Sequence, residues 1–216
     1  MASVRRAAKI NLLTSPMPVL FGFDSQSLPL QHGLRLKLAT HRLSAAAPKN
    51  IVITPAPNDS PDSKGCYYYG SVCTVHDELW MWYHGVGEPE PDKKSRVNVC
   101  LAKSRDGVSW DKPGLGLVEY GGNRNNHLVD LNLGDFGLMA CVVLHDPEDP
   151  APARRFKMIF ETRKYAQAFA VAYSPDGTRW TESPDNPRGS WMEPSGAIRW
   201  DGADYVNGQG GKHWAA

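Results

Sequence analysis

One phrase occurs twice in this chain and limits its fold more than any other feature. Ser104-Arg105-Asp106-Gly107-Val108-Ser109-Trp110 returns as Ser174-Pro175-Asp176-Gly177-Thr178-Arg179-Trp180. Each copy follows a short apolar-rich run, Val97 to Ala102 in the first and Phe169 to Tyr173 in the second, as a strand entering a turn should. Asp-Gly reads as the turn, because glycine takes positive φ without steric cost and aspartate accepts local backbone N–H bonds. The tryptophan then falls on the returning strand as a large apolar wedge. Two copies of strand, Asp-Gly turn, strand and tryptophan predict two stacked β-sheets.

Around the repeat, further short strands can be read. In the first unit they run from Tyr67 to Val75 and from Leu79 to Tyr83, with His76-Asp77-Glu78 as the turn, then through Val97 to Ala102, with a fourth after Trp110. The second unit repeats the order: Phe136 to Leu144, a proline-rich turn from Asp146 to Pro152, Phe156 to Phe160, Phe169 to Tyr173, and a strand at Trp180. A third opens near Gly196 and includes the Asp201-Gly202 turn and Tyr205-Val206-Asn207. Four antiparallel strands per unit is the sheet of a β-propeller blade. The expected organisation is an all-β propeller with about two and a half blades: an extended lead-in over 1–57, blade one over 58–120, blade two over 121–190 and the start of blade three over 191–216. Closed propellers carry more blades than this, so the chain reads as the N-terminal part of a longer propeller.

Composition narrows the function. A net charge of +1 with 22% charged residues gives no dense cationic face of the kind phosphate backbones require, so nucleic acid is not the expected partner. No apolar run approaches the roughly 20 residues of a membrane span. The basic start, Met1 to Lys9, is followed by a stretch broken by Pro16 and Pro18. That pattern fits a secretory signal poorly and favours a cytoplasmic location, with a secreted or periplasmic one as the alternative. Cys66, Cys73, Cys100 and Cys141 lack CxxC spacing and read as reduced core residues. The histidines, among them His76, His84, His127, His145 and His213, show no metal spacing, and no glycine-rich phosphate loop precedes a helix. No metal and no cofactor is expected.

The strand, Asp-Gly turn and tryptophan frame, with Asp111-Lys112-Pro113-Gly114-Leu115-Gly116-Leu117-Val118 and Tyr205-Val206-Asn207-Gly208-Gln209-Gly210, resembles the five-bladed propeller glycoside hydrolases. The likeness is to the superfamily of families 32, 43 and 68, and most to bacterial family 32-like proteins, over roughly Asn50 to the C-terminus. It implies a saccharide substrate and a funnel at the propeller axis, lined by the first strand of each blade. Carboxylates on the first three blades would serve there as nucleophile or base, transition-state stabiliser and general acid. The repeated phrase also resembles the Asp box of sialidases, a structural turn with one more residue between Asp and Gly.

Physical chemistry asks for the same equipment. Cleaving a glycosidic bond takes one carboxylic acid to protonate the leaving oxygen and one carboxylate to attack or to activate water. The resemblance assigns Glu193, before the inner strand of the third blade, as general acid and Asp135, at the start of the second, as stabiliser. The Arg-Asp-Pro usual at the latter place is absent, and Asp146-Pro147 falls in the hairpin at the far end of the strand. In the first blade the Trp-Met-Asn-Asp-Pro signature is also absent, and Asp62 or Asp59 are the nearest carboxylates. His213, Trp214, Asn207 and Gln209 are the expected substrate-binding residues. Tyr67, Tyr68, Tyr69, Trp80, Trp82 and Tyr83 offer faces on which sugars stack, although alternation places most of them in the core, with Tyr67 and Tyr69 sharing one side. The expected function is hydrolysis of O-glycosidic bonds in plant or microbial saccharides. The alternative is a carbohydrate-binding or inactive propeller without the catalytic pair.

Overall fold

The computed structural model describes residues 52–88, 97–134 and 136–189, except the side chain of Tyr69, and the backbone of 194–200, 203–208 and 213–215. The expected lead-in therefore falls, as far as residue 51, outside the described residues.

The first sheet is an antiparallel meander of β1 (Gly65–Val75), β2 (Glu78–Val86) and β3 (Val97–Ser104) in that spatial order. Glu78 belongs to β2, opposite Val75, so the β1–β2 turn is His76-Asp77 alone. Both take positive φ, 47° and 63°, and a two-residue loop of this kind matches the right-handed twist of the strands it joins. The fourth strand expected after Trp110 is reduced to one bridge, Lys103 to Asp111. A later segment covers the rest of that edge, where Leu101 N–H donates to His127 O at 2.9 Å and Val129 N–H to Val99 O at 3.1 Å.

The second sheet contains β4 (Asp130–Leu131), β5 (Leu138–His145), β6 (Phe156–Thr162), β7 (Phe169–Ser174) and β8 (Arg179–Glu182), in the order β4-β8-β7-β6-β5. The short β4, on the way from the first sheet, pairs in parallel with the outermost strand of the meander. The third sheet runs β11-β10-β9, from β9 (Pro194–Trp200), β10 (Ala203–Gly208) and β11 (His213–Ala215).

The antiparallel meander of each sheet starts from β1, β5 or β9, with β4 added at the far edge of the second, and β5 packs against both of the other two starting strands. Val143 N–H of β5 donates to Ser71 Oγ of β1 at 2.8 Å, His145 Nδ1 lies 3.1 Å from Thr74 O, and β5 packs in turn against β9. The architecture is all-β and of propeller type, with β1, β5 and β9 as inner strands.

Most of the core lies between the first two sheets, where Trp82, Leu101, Val143, Met158, Phe160 and Ala170 are buried together. These are alternate residues of their strands, as burial on one face requires. The repeated phrase has the same internal bonding in both copies. Ser104 Oγ accepts from Gly107 N–H at 2.9 Å and Ser174 Oγ from Gly177 N–H at 2.8 Å. Asp106 Oδ1 takes the N–H groups of Val108 and Ser109, and Asp176 Oδ1 those of Thr178 and Arg179, all at 2.8 Å. The tryptophan indole closes each loop on the glycine carbonyl at 3.1 Å. Both glycines have positive φ, 73° and 74°. Asp106 and Asp176 spend their carboxylates on backbone donors, which places them in the fold and not in the chemistry. The four cysteines are unpaired thiols.

Candidate active site

β5 packs against both β1 and β9, and the residues just ahead of these strands define the candidate site. In chain order Asp135 comes shortly before β5 and Glu193 immediately before β9; both lie outside the described residues. The neighbours of Asp135, Gly134 and Phe136, line a cleft of about 220 Å³. Its other walls are 97–99 at the start of β3, Val118, and the described residues of 128–138, with Asn98, Asp130 and Asn132 as polar groups.

In the third sheet the register brings two expected binding residues together. Asn207 of β10 is the direct partner of His213 of β11, with Trp214 opposite Val206. The same end of β10 meets the beginning of β9, where Gly208 pairs with Pro194 and Asn207 with Gly196. Asn207 and His213 therefore sit at the end of the sheet that Glu193 precedes. Gln209 lies outside the described residues.

Asp62 is the best-defined of the expected carboxylates, and it is enclosed. Its side chain has no exposed surface. Oδ2 accepts from Tyr83 Oη at 2.8 Å, pairs with Lys112 Nζ and takes the Cys66 thiol at 3.3 Å, while Oδ1 accepts from Ser60 Oγ at 2.9 Å and faces His127 Nε2 at 3.3 Å. Burial alone would raise the carboxyl pKa, yet the hydrogen bonds from His127, Lys112 and Tyr83 outweigh it and hold the group far below the usual carboxylate range. The same burial pushes the Cys66 thiol up to about 12, so this cysteine is not a nucleophile. Lys112 also donates to Thr54 O at 2.5 Å. The cluster ties the approach to β1 to the long connection after β3. Asp59 is exposed, with a positive φ of 72° that marks a turn.

Two buried titratable residues occupy matching places in the two meanders. His84 on β2 pairs with Val99 on β3, and Glu161 on β6 pairs with Phe169 on β7, the strand that ends in the second copy of the repeat. Both are almost fully buried. Burial lowers the His84 pKa to about 4, so the ring is neutral at pH 7. Glu161 had no motif to draw attention to it, and the signal that finds it is the repeat register itself. Asp146, by contrast, stands at the far end of β5, where Lys157 Nζ lies 3.3 Å from its Oδ2 and 2.9 Å from Asp149 Oδ2.

Over 113 residues the chain is 33% identical to the sucrose-6-phosphate hydrolase of Bacillus subtilis, a match covering 49% of this chain and 23% of the relative. Over that stretch the chain is similar in sequence to a sucrose-6-phosphate hydrolase. It spans about a quarter of the length of that curated relative. No family model matches the chain. Among solved structures, an exo-β-1,3-galactanase from Clostridium thermocellum superposes with a TM-score of 0.40 at 16% identity, covering 72% of this chain and 35% of that one. A protein of unknown function from Dyadobacter fermentans gives 0.47 at 16% identity, over 72% and 39%.

Proposed function

We propose that this chain carries part of a glycosidase site and acts on O-glycosidic bonds of plant or microbial saccharides by carboxylate acid/base chemistry. The observation that carries the reading is the 33% identity over 113 residues to a sucrose-6-phosphate hydrolase, combined with the place of Asp135 and Glu193 in the chain shortly before β5 and β9, two strands that pack against each other. Strands arranged in this way let carboxylates from neighbouring sheets face one substrate. In this reading Glu193 protonates the leaving oxygen, Asp135 supports the charge that develops on the sugar, and Asn207 and His213 hold hydroxyl groups. Asp62 is assigned a holding role: its oxygens are committed to Tyr83, Lys112, Cys66 and Ser60, and no sugar can reach a carboxylate without exposed surface.

The enclosure of Asp62 also supports a second reading, a propeller that binds saccharide without cleaving it, because of the two carboxylates expected for the first blade only the turn residue Asp59 is then accessible. Hydrolysis separates the two. The assay uses sucrose, sucrose 6-phosphate, β-1,3-galactobiose and a set of aryl furanosides and pyranosides, comparing the wild type with Glu193→Gln and Asp135→Asn. Glycosidase chemistry predicts turnover by the wild type that falls at least about a hundredfold in each variant. Binding without turnover by the folded wild type selects the second reading.

A further inference from the structure

We propose that the opening of β1 is a stacking platform, built from Tyr67 and Tyr68, for one pyranose or furanose ring of a bound saccharide. The class of ligand rests on the saccharide reading above, while the platform itself does not require hydrolysis.

Neighbouring residues of a regular strand point to opposite faces, yet both of these rings are exposed, by 58% for Tyr67 and 61% for Tyr68. The cause lies in the register. Tyr67 pairs with His84 and the next aligned pair is Ser71 with Trp82, so 68–70 of β1 stand opposite Tyr83 alone. Such a bulge re-aims side chains, and bulges occur preferentially beside active sites. Gly70 makes it possible, since a Cβ there would fall 1.7 Å from the Trp82 carbonyl oxygen. Gly65 makes room for the first ring, with Tyr67 Cε2 3.1 Å from where a Cβ would stand.

The other described aromatic side chains of this sheet behave differently. Trp82 and Tyr83 are fully buried, and Trp80 packs against Phe156 with a centroid distance of 6.2 Å. Two rings are thus left largely exposed beside a backbone distortion that Gly70 permits, while Trp82 and Tyr83 of the same sheet are buried. A phenol ring offers an apolar face to the C–H face of a sugar and a polar edge to its hydroxyls. The location suits such a ligand. Across the sheet Tyr67 aligns with His84 and Val99, and Val99 borders the cleft that carries Asn98, Asp130 and Asn132. The inner strand of the second sheet has a register shift at the corresponding place, between Leu138 and Ala140, and it too exposes the intervening side chain, Met139 at 40%.

The test is calorimetric titration of the same saccharide panel into the wild type, Tyr67→Ala/Tyr68→Ala and Tyr67→Phe/Tyr68→Phe, with circular dichroism as the check on folding and single alanine variants in reserve. The expected result is binding by the wild type, weakened by about tenfold or more (~1.4 kcal/mol) in the alanine pair and retained in the phenylalanine pair, which keeps the faces. Equal affinity in the alanine pair, or no binding by the folded wild type, overturns the platform. Turnover is scored separately: tyrosine-dependent binding without hydrolysis sinks the glycosidase reading and leaves the platform standing. Hydrolysis with a KM indifferent to the alanine pair does the reverse.

Discussion

The indole N–H of Trp82 donates to the carbonyl oxygen of Gly177 at 2.9 Å, and that oxygen also receives the indole of Trp180 at 3.1 Å. The central tryptophan of the first sheet is therefore bonded to the repeat turn of the second. Its first-copy counterpart, Gly107, accepts from Trp110 within its own loop. The two copies share a local conformation while one of them also carries the contact between sheets.

That difference predicts unequal responses to the same substitution. Gly107→Ala meets little beyond Leu79 Cδ1 at 3.4 Å and mainly incurs the left-handed backbone, about 1–2 kcal/mol. Gly177→Ala has the same backbone cost and also drives a Cβ to within 2.9 Å of Trp82 Cζ2 and 3.2 Å of Phe156. Overpacking adds roughly 1–3 kcal/mol. Urea unfolding of both variants checks the order, and equal losses would contradict the coupling of the sheets through this turn.

Asp62 predicts a specific dependence on pH. Its folded pKa is depressed by the hydrogen bonds that outweigh its burial, so its contribution is fully present above the unfolded value near 4 and is lost as pH falls toward the folded value. Wild-type stability should decline below about pH 4–5 with a component missing in Asp62→Asn. At pH 7, Asp62→Ala leaves Lys112 without its buried partner and should cost about 3–5 kcal/mol. Denaturant midpoints measured from pH 3 to pH 7, spanning this window, provide the comparison.

His84 shifts the balance in a different window. Burial lowers its pKa to about 4, against about 6.5 unfolded, so the unfolded chain binds the extra proton first. Stability from this residue is intact above about pH 6.5 and falls as pH drops toward 4, on the order of 3 kcal/mol in all. A proton NMR titration should place the His84 midpoint near 4, and His84→Gln should flatten the stability profile between the two values. An ordinary midpoint near 6.5 would show that the ring is not enclosed as described.

What sequence reading reached and what it missed divides along the range of the interactions. The repeat was legible because its bonds close within the phrase, from Ser104 and Asp106 to the next few backbone groups and from Ser174 and Asp176 likewise. The order of inner strands followed from alternating apolar runs. The Asp62 cluster was hidden because Lys112 and His127 come from far along the chain, and no local pattern pairs them. The strand expected after Trp110 was lost to His127–Val129, whose chain returns to the same edge. Simple alternation put Tyr67 with Tyr69 and did not anticipate the exposure of Tyr68. The available clue was Gly70, since an isolated glycine in an aromatic strand is a bulge signal.

The Asp-Pro at the far end of β5 allows a last prediction that separates fold from chemistry. Lys157 is 3% exposed and stands between Asp146 and Asp149, and its hydrogen bond is the main cause that holds Asp149 below its ordinary pKa. Replacing Lys157 with Met leaves two carboxylates facing an apolar side chain, which should cost about 3–5 kcal/mol. Adding Asp146→Asn removes one of those charges and should recover part of the loss, a coupling that a double-mutant cycle reads directly. Because this cluster lies at the opposite end of β5 from Asp135, saccharide binding and any turnover by the folded fraction should be unchanged in Asp146→Asn alone. A variant that keeps wild-type stability but loses turnover would move the chemistry to Asp146 and away from the ends where β5 and β9 begin.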